Sequence, residues 1–333
     1  MYETEVPSPE AKAPKPRGRM PQAGDVLKRY MLLWVGILLA VLFSVLLPGT
    51  FPTQGNLIAM LSSQAFLIIL AVAVTIPLRA GDFDLSVASV MVFCAAVLGI
   101  LTTQMHWPVL PAALAVIVLG AVLGAINGFF VVQVGVNAFI VTLGMMTVLG
   151  GLTYGVTAGN IVIGLPSGLL AVGQSVVLGL PDAVYYGWVL ALIMWYLYEF
   201  TPIGRHLLFV GGNPDAARLA GLPVRRIRFS AFVSSAVLSA FAGIILAAKL
   251  GAVDPTLGPS FLLPPYAAAF LGTTTVQIGR FNIGGTVIAS YLLTIGVSGL
   301  LLLGVSPWVS DVFNGAALLA AVAFARLATR TAE

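Results

Sequence analysis

Long apolar runs follow one another along this chain, and short polar stretches divide them. Within the runs Leu, Val, Ile, Ala and Phe succeed each other without alternation between apolar and polar positions. Continuous hydrophobicity of this length predicts helices that cross a bilayer, since about 20 apolar residues are needed to span the hydrocarbon. On that rule helices are expected near 30–47, 57–78, 84–105, 109–133, 138–158, 183–201, 229–250, 262–276, 283–304 and 308–328. The eighth is short and rich in Pro and Gly. Proline and glycine punctuate the boundaries, at Pro48-Gly49, Pro108, Pro166, Pro181-Asp182, Pro202, Pro255 and Pro307. The expected fold is therefore all-α: a polytopic membrane protein with about ten transmembrane helices in one domain, 30–328. Residues 1–29, with five prolines among mixed charges, are expected to form a disordered cytoplasmic tail. Its acidic start and proline-rich lead-in argue against a cleaved secretory signal. Two stretches between spans stand out: an apolar outer loop, 159–182, expected to lie along the membrane or dip into it, and an inner loop, 202–228.

Composition agrees. Hydrophobic residues make up 59% of the 333 and charged residues only 8%, with a mean hydropathy of +1.03. A soluble domain carries about 25% charged residues. Inside hydrocarbon each backbone polar group must be satisfied within the span, which leaves helices or closed barrels, and non-alternating runs favour helices. The placement of charge tests the count. With ten spans and both termini cytoplasmic, 15 of the 16 Lys and Arg residues fall inside and only Lys249 falls outside. Removing one span before residue 205 would put the densest basic loop outside. A net charge of +4 spread this way points to membrane topology and not to nucleic acid. The single cysteine, Cys94, excludes an internal disulfide, and no Cys/His cluster suggests a metal.

The inner loop carries the most local information. It reads Gly211-Gly212-Asn213-Pro214-Asp215-Ala216-Ala217-Arg218-Leu219-Ala220-Gly221-Leu222-Pro223. Asn213 suits an N-cap and Pro214 the first helical position. Asp215 complements the helix dipole, and Gly221 supplies a stop. A helix of about two turns is expected on the cytoplasmic face, and the plain alternative is a solvated connector with a positive-inside charge cluster.

This loop resembles the Glu-Ala-Ala-x-x-x-Gly loop of ABC importer permeases, with Asp215 in place of the glutamate, and is most similar to its form in ribose-type members. Two further stretches strengthen the resemblance. Gly81-Asp82-Phe83-Asp84-Leu85-Ser86-Val87-Ala88-Ser89 is similar to the family's Gly-Gly-Ile-Asp-Leu-Ser-Val-Gly-Ser, with Asp82 and Ala88 replacing glycines. Leu271–Thr275 with Gly279–Thr286 resembles the glycine-rich inner loop before the penultimate helix. Together with Asn127-Gly128 and Asn137–Gly144, the matches run in the family's order over about 57–328.

The resemblance, to the membrane component of binding-protein-dependent simple-sugar importers, implies a multi-pass protein of the bacterial inner membrane. It implies ABC ATPase subunits that carry ATP and Mg, an extracytoplasmic solute-binding protein, and a second permease subunit as partners. It makes Gly212, Asn213, Asp215, Ala216, Arg218, Gly221 and Arg280 candidates for coupling to the ATPase. Asp84 or Ser86 is expected to cap the third span, with Asp84 near enough to Arg79 to pair.

Gly120, Gly124 and Gly128 recur every four residues, spacing that lets a neighbouring helix approach. Uncharged polar candidates for a solute path are Gln64, Asn127, Asn137, Thr142 and Asn314, with Phe139 as an aromatic wall; helix packing is the plain alternative for each. No charged residue stands at mid-span, which disfavours a proton-coupled carrier. No Gly-x-x-x-x-Gly-Lys loop is present, and no catalytic constellation is found. The expectation is a non-enzymatic permease subunit that imports a sugar or sugar alcohol. The rival is a self-sufficient carrier for a small neutral solute, which leaves the capped inner helix without a purpose.

Overall fold

A computed structural model describes residues 29–330, with side chains as far as Ala323. All of the expected tail except Arg29 lies outside the described residues. The helices run in order α1 (Met31–Leu46), α2 (Gln54–Ser63), α3 (Ala65–Arg79), α4 (Val87–Thr103) and α5 (Val109–Gly128), which continues into a π-helical turn at Phe129–Val134. Next come α6 (Ala138–Thr157), α7 (Ser167–Gln174), α8 (Asp182–Phe200), α9 (Pro202–Gly212) and α10 (Pro214–Leu219). The last four are α11 (Val224–Leu250), α12 (Leu263–Gly272), α13 (Ile283–Leu302) and α14 (Trp308–Arg330). Among the described residues the strands are a two-residue antiparallel pair, Val176–Val177 with Leu180–Pro181.

Among the described residues six segments are long and apolar enough to cross a membrane: Gln54–Arg79, Val109–Val134, Ala138–Thr157, Asp182–Phe200, Val224–Leu250 and Ile283–Leu302. Met31–Leu46, Val87–Thr103 and Trp308–Ala323 are apolar but shorter. The structure departs most from expectation at the eighth span. There α12 has 10 residues, or about 15 Å of helix, half the hydrocarbon thickness. Pro264 and Pro265 sit in its first turn, where missing N–H groups cost nothing, and their rings oppose further extension upstream.

The bundle is built around α11. Its apolar window is 72% buried, against 17% for α6, so α11 is the axis and α6 lies at the rim. The glycines of α5 explain one tight seam. A Cβ on Gly124 would stand 2.6 Å from the Phe232 carbonyl oxygen, and one on Gly128 would stand 2.8 Å from the Phe229 ring. Small residues here bring the two backbones together, as the four-residue spacing predicts.

Two connections are more structured than expected. The 159–182 segment holds α7, whose Leu169 is fully buried, and Val162 exchanges backbone hydrogen bonds of 2.9 Å with Val253. It packs on the bundle. The 202–228 segment contains α9 as well as the short capped helix, with Pro202 at the first position of α9.

Polar contacts divide the molecule into two ends. Arg29 Nε donates to the Val276 carbonyl at 2.7 Å, and the Val276 N–H and Thr275 Oγ1 donate back to the Arg29 carbonyl. Arg79 links α9 to the 273–282 connection through the Gly204 and Phe281 carbonyls. Residue 29 and the connections 80–86, 201–228 and 273–282 thus share one end, which is rich in arginine. Lys249 lies at the other, with its Nζ 5.6 Å from the Phe66 ring at the start of α3.

Candidate functional site

Local sequence builds a projecting knob at the basic end. Asn213 Oδ1 accepts from the N–H groups of Asp215 and Ala216 at 3.1 and 2.9 Å, satisfying two donors of α10 that have no helical partner. Pro214 occupies the first helical position. Gly221 has φ +82°, a left-handed conformation that ends the helix, and the Leu222 N–H donates to the Ala217 carbonyl at 3.0 Å. Ala217 is buried against Val210 and Val224, while Leu219 is 91% exposed. The exposed Asp215–Arg218 pair, 3.3 Å, is worth little in water. The result is a short rigid helix, fixed at both ends, that presents Asp215, Arg218 and an apolar tip outward.

The knob is anchored tightly. A Cβ on Gly211, in the last turn of α9, would collide with the Arg79 carbonyl oxygen, and one on Gly81 would stand 3.2 Å from Gly211 Cα. The two glycines therefore let the end of α9 touch the chain leaving α3. Arg79 Nε and Nη1 donate to the Gly204 and Phe281 carbonyls at 3.2 and 3.0 Å. Its guanidinium also lies 4.3 Å from the Tyr198 ring centroid, a cation–π contact. Asp82 accepts from Arg228 Nε and Nη2 at 2.7 and 2.6 Å. This bidentate pair ties the 80–86 connection to the first turns of α11.

The expectations for Asp84, Ser86 and Arg79 are corrected here. The Ser86 side chain makes no cap bond to α4. Instead Asp84 Oδ1 accepts from Ser86 N–H and Oγ, at 3.1 and 2.6 Å, and Asn127 Nδ2 donates to Ser86 Oγ at 2.9 Å. Arg79 does not pair with Asp84. The turn at Gly81 (φ +88°) sends Arg79 toward α9 and the 273–282 connection, and Asp84 toward α5 and α12.

A cavity of about 480 Å³ lies between the α2–α3 segment, α12, α13 and α14, lined by Asn56, Gln64, Pro265, Ser290, Thr294, Ser298 and Asn314 among apolar side chains. Pockets of about 300–1,000 Å³ suit small ligands. The wall is interrupted at Gln64, where α2 stops and α3 begins. Ser298 Oγ donates to Asn56 Oδ1 at 3.2 Å. Met60, Leu67, Leu293, Val297 and Leu301 supply the apolar surface, and among the described residues no charged side chain lines the cavity.

The six path candidates separate into three groups. Gln64 and Asn314 meet in this cavity. Asn137 and Phe139 line a different hollow of about 630 Å³ at the basic end, with Asp82, Arg218, Arg225 and Arg228. There Asn137 caps α6, its Oδ1 accepting from the Phe139 N–H at 2.9 Å. Asn127 and Thr142 are buried in packing, and Thr142 Oγ1 donates to the Ala138 carbonyl at 2.8 Å. Arg280 and Gly212 are exposed at the same end as α10. Sequence reasoning missed Asn56, Ser290, Thr294 and Ser298. The last three recur every four residues and share one face of α13, a signal that could have found them.

The family described as "Branched-chain amino acid transport system / permease component" matches residues 56–322, and the chain belongs to that family of transport permeases. Among characterised relatives, the chain is 33% identical over 303 residues to the ribose import permease protein RbsC of Escherichia coli K12, covering 89% of this chain and 93% of that one. It is 31% identical over 318 residues to the L-arabinose ABC transporter permease protein AraH of Azospirillum brasilense (96% and 93% covered). With the autoinducer 2 import system permease protein LsrC of Salmonella typhimurium it shares 32% over 292 residues (86% and 84% covered). No solved structure gives a significant match.

Proposed function

We propose that this chain is the membrane-spanning subunit of an ATP-binding-cassette importer in a bacterial inner membrane, forming the path for a sugar or sugar alcohol. The observation that carries the reading is the capped α10 knob, exposed at its apolar tip and locked to the start of α11 and the end of α3. Such a knob suits a separate ATPase subunit that grips it. A solute-binding protein would deliver cargo at the opposite end, and a second permease subunit would complete the pathway. A self-sufficient carrier has no use for the knob.

The basic end is placed in the cytoplasm, as the positive-inside rule requires. On this reading ten passages join the two ends: the six long apolar segments, the shorter α1, α4 and α14, and α12. The α12 passage is a broken crossing. The chain leaves Lys249 at one end and reaches the 273–282 connection at the other with a single 3-10 turn (Pro259–Phe261), α12 and irregular backbone between. Irregular backbone at membrane depth is tolerated where protein surrounds it, and Pro265–Ala269 are buried.

In the mechanism, closure of the ATPase displaces α10. The Gly81–Gly211 contact and the Asp82–Arg228 pair pass that displacement into α3 and α11. The far end of α3 is Ala65, beside the break at Gln64, so movement of α3 reshapes the cavity wall. The solute class follows from the lining. An amino acid would need partners for an ammonium and a carboxylate, whereas uncharged Asn, Gln, Ser and Thr exchange hydrogen bonds with hydroxyl groups. The relatives named for ribose and L-arabinose import point the same way. In vesicles containing the ATPase, Asp215→Lys or Gly221→Pro should abolish ATP-driven uptake while the protein stays in the membrane. Proline cannot adopt the positive φ at 221. Unchanged uptake would refute the coupling role. Reporters fused at 215 and 170 should lie on opposite faces of the membrane.

A further inference from the structure

Asp84 is fully buried on the connection between α3 and α4, outside both helices, and no cation among the described residues neutralises it. Arg228 from α11 is committed to Asp82. Arg79 from α3 is committed to two carbonyls and the Tyr198 ring. From α12, Tyr266 presents only a phenol, whose oxygen accepts from the Asp84 N–H at 3.2 Å. From α5, Asn127 reaches Ser86, and from α11 the uncharged Ser235 lies beside the carboxyl. Oδ1 of Asp84 is satisfied by Ser86. Three neighbouring polar atoms are not: Asp84 Oδ2, Ser235 Oγ and Asn127 Oδ1 have no hydrogen-bond partner among the described residues.

A carboxylate buried without a cation beside it is expensive, and such groups take up a proton instead. Here the proton also completes the hydrogen bonding. A neutral Oδ2–H becomes a donor toward Ser235 Oγ, and the Ser235 hydroxyl is released to donate onward to an acceptor such as Asn127 Oδ1. In the ionised form the one Ser235 hydroxyl hydrogen can serve only a single acceptor, Oδ2 or Asn127 Oδ1, whereas the added proton supplies the second donor.

We infer that Asp84 is a proton-binding site, and that a solvent proton on its Oδ2, bonded to Ser235, clamps α11 to the connection that carries the Gly81–Gly211 contact. The step forms one O–H bond and takes the carboxyl from charge −1 to 0. Burial pushes the Asp84 carboxyl up to about 6, against the lowering pull of the Ser86 hydroxyl and N–H that donate to Oδ1. The native protein thus holds this proton more tightly than the unfolded chain does. Its contribution to stability is present at low pH and is lost as pH rises from about 4 to about 6. The inference stands apart from the identity of the solute and of the motor.

Infrared difference spectroscopy of the purified full chain, taken between pH 7.5 and pH 5, tests it. The account expects a protonated-carboxyl C=O band that grows on acidification, is absent from Asp84→Asn, and shifts in Ser235→Ala because its hydrogen bond is lost. It also expects Asp84→Asn to melt at or above the wild-type temperature at pH 7.5, with the difference shrinking toward pH 5. Asparagine supplies an N–H donor where the neutral acid supplies its O–H. If Asp84→Asn fails to fold, the band shift in Ser235→Ala remains as the test. No Asp84-dependent band down to pH 5, or stabilisation by sodium chloride over choline chloride that vanishes in Asp84→Asn, would overturn the proposal; the second would show a bound cation in the proton's place.

Discussion

The two ends of this molecule are built on different principles. At the basic end, specific polar contacts hold the parts: Asn213 caps α10, Arg79 staples α9 to the 273–282 connection, and Asp82 grips Arg228 with two short bonds. At the opposite end a cavity of about 480 Å³ is walled by apolar side chains, neutral hydrogen-bonding groups and a helix broken at Gln64. Close-packed, hydrogen-bonded joints transmit displacement, while a wall with an interruption and empty space beside it can change shape. The stiff end suits attachment to a motor and the compliant end suits a solute.

Substitutions at the stiff end should therefore cost most. Gly211→Val places a branched side chain against the Arg79 carbonyl, and overpacking of this kind typically costs about 1–3 kcal/mol. Its melting temperature should fall well below that of Gly212→Val, since a Cβ at 212 meets nothing within 4 Å. Equal effects at 211 and 212 would mean that α9 does not touch the α3–α4 connection. Next comes Asp82→Asn, expected to cost about 2 kcal/mol by leaving a half-buried guanidinium without its charge partner. Adding Arg228→Gln should cost much less than the two single losses summed, because the residues act as a pair.

Asn213→Ala removes a cap worth about 1 kcal/mol. The amides of Asp215 and Ala216 should exchange faster with solvent while global melting hardly moves, and ATP-driven uptake should drop several-fold. The smallest stability effects belong to the cavity. Ser298→Ala and Asn314→Leu should each change stability by about 0.5 kcal/mol or less yet raise the uptake KM. A change in kcat with KM fixed would place the solute elsewhere.

Sequence legibility divides along the same line. The α10 knob could be foreseen to the residue, because caps, a first-turn proline and a positive-φ glycine act within a few positions of each other. The glycine seam of α5 was legible for a similar reason: one repeat spacing implies one helix face. The tertiary choices were not. Nothing local tells Asp82 to find Arg228, 146 positions away, or tells Ser86 to leave the cap of α4 and bond Asp84. The length of α12 was misjudged at its C-terminal end: the helix stops at Gly272, and Val276, at φ +59°, gives its N–H to the Arg29 carbonyl, a partner 247 positions away. Four of the six path candidates fell outside the cavity because a polar residue in an apolar run serves equally as a cap, as at Asn137, as a packing bridge, as at Asn127, or as lining, as at Gln64. Only the three-dimensional neighbours decide which.

Uptake into vesicles that contain this permease and its binding protein, with and without the ATPase subunit, tests the central claim most directly. The account predicts accumulation only when the ATPase and ATP are both present, and none when α10 carries Asp215→Lys. Full accumulation with no nucleotide-hydrolysing subunit would contradict it.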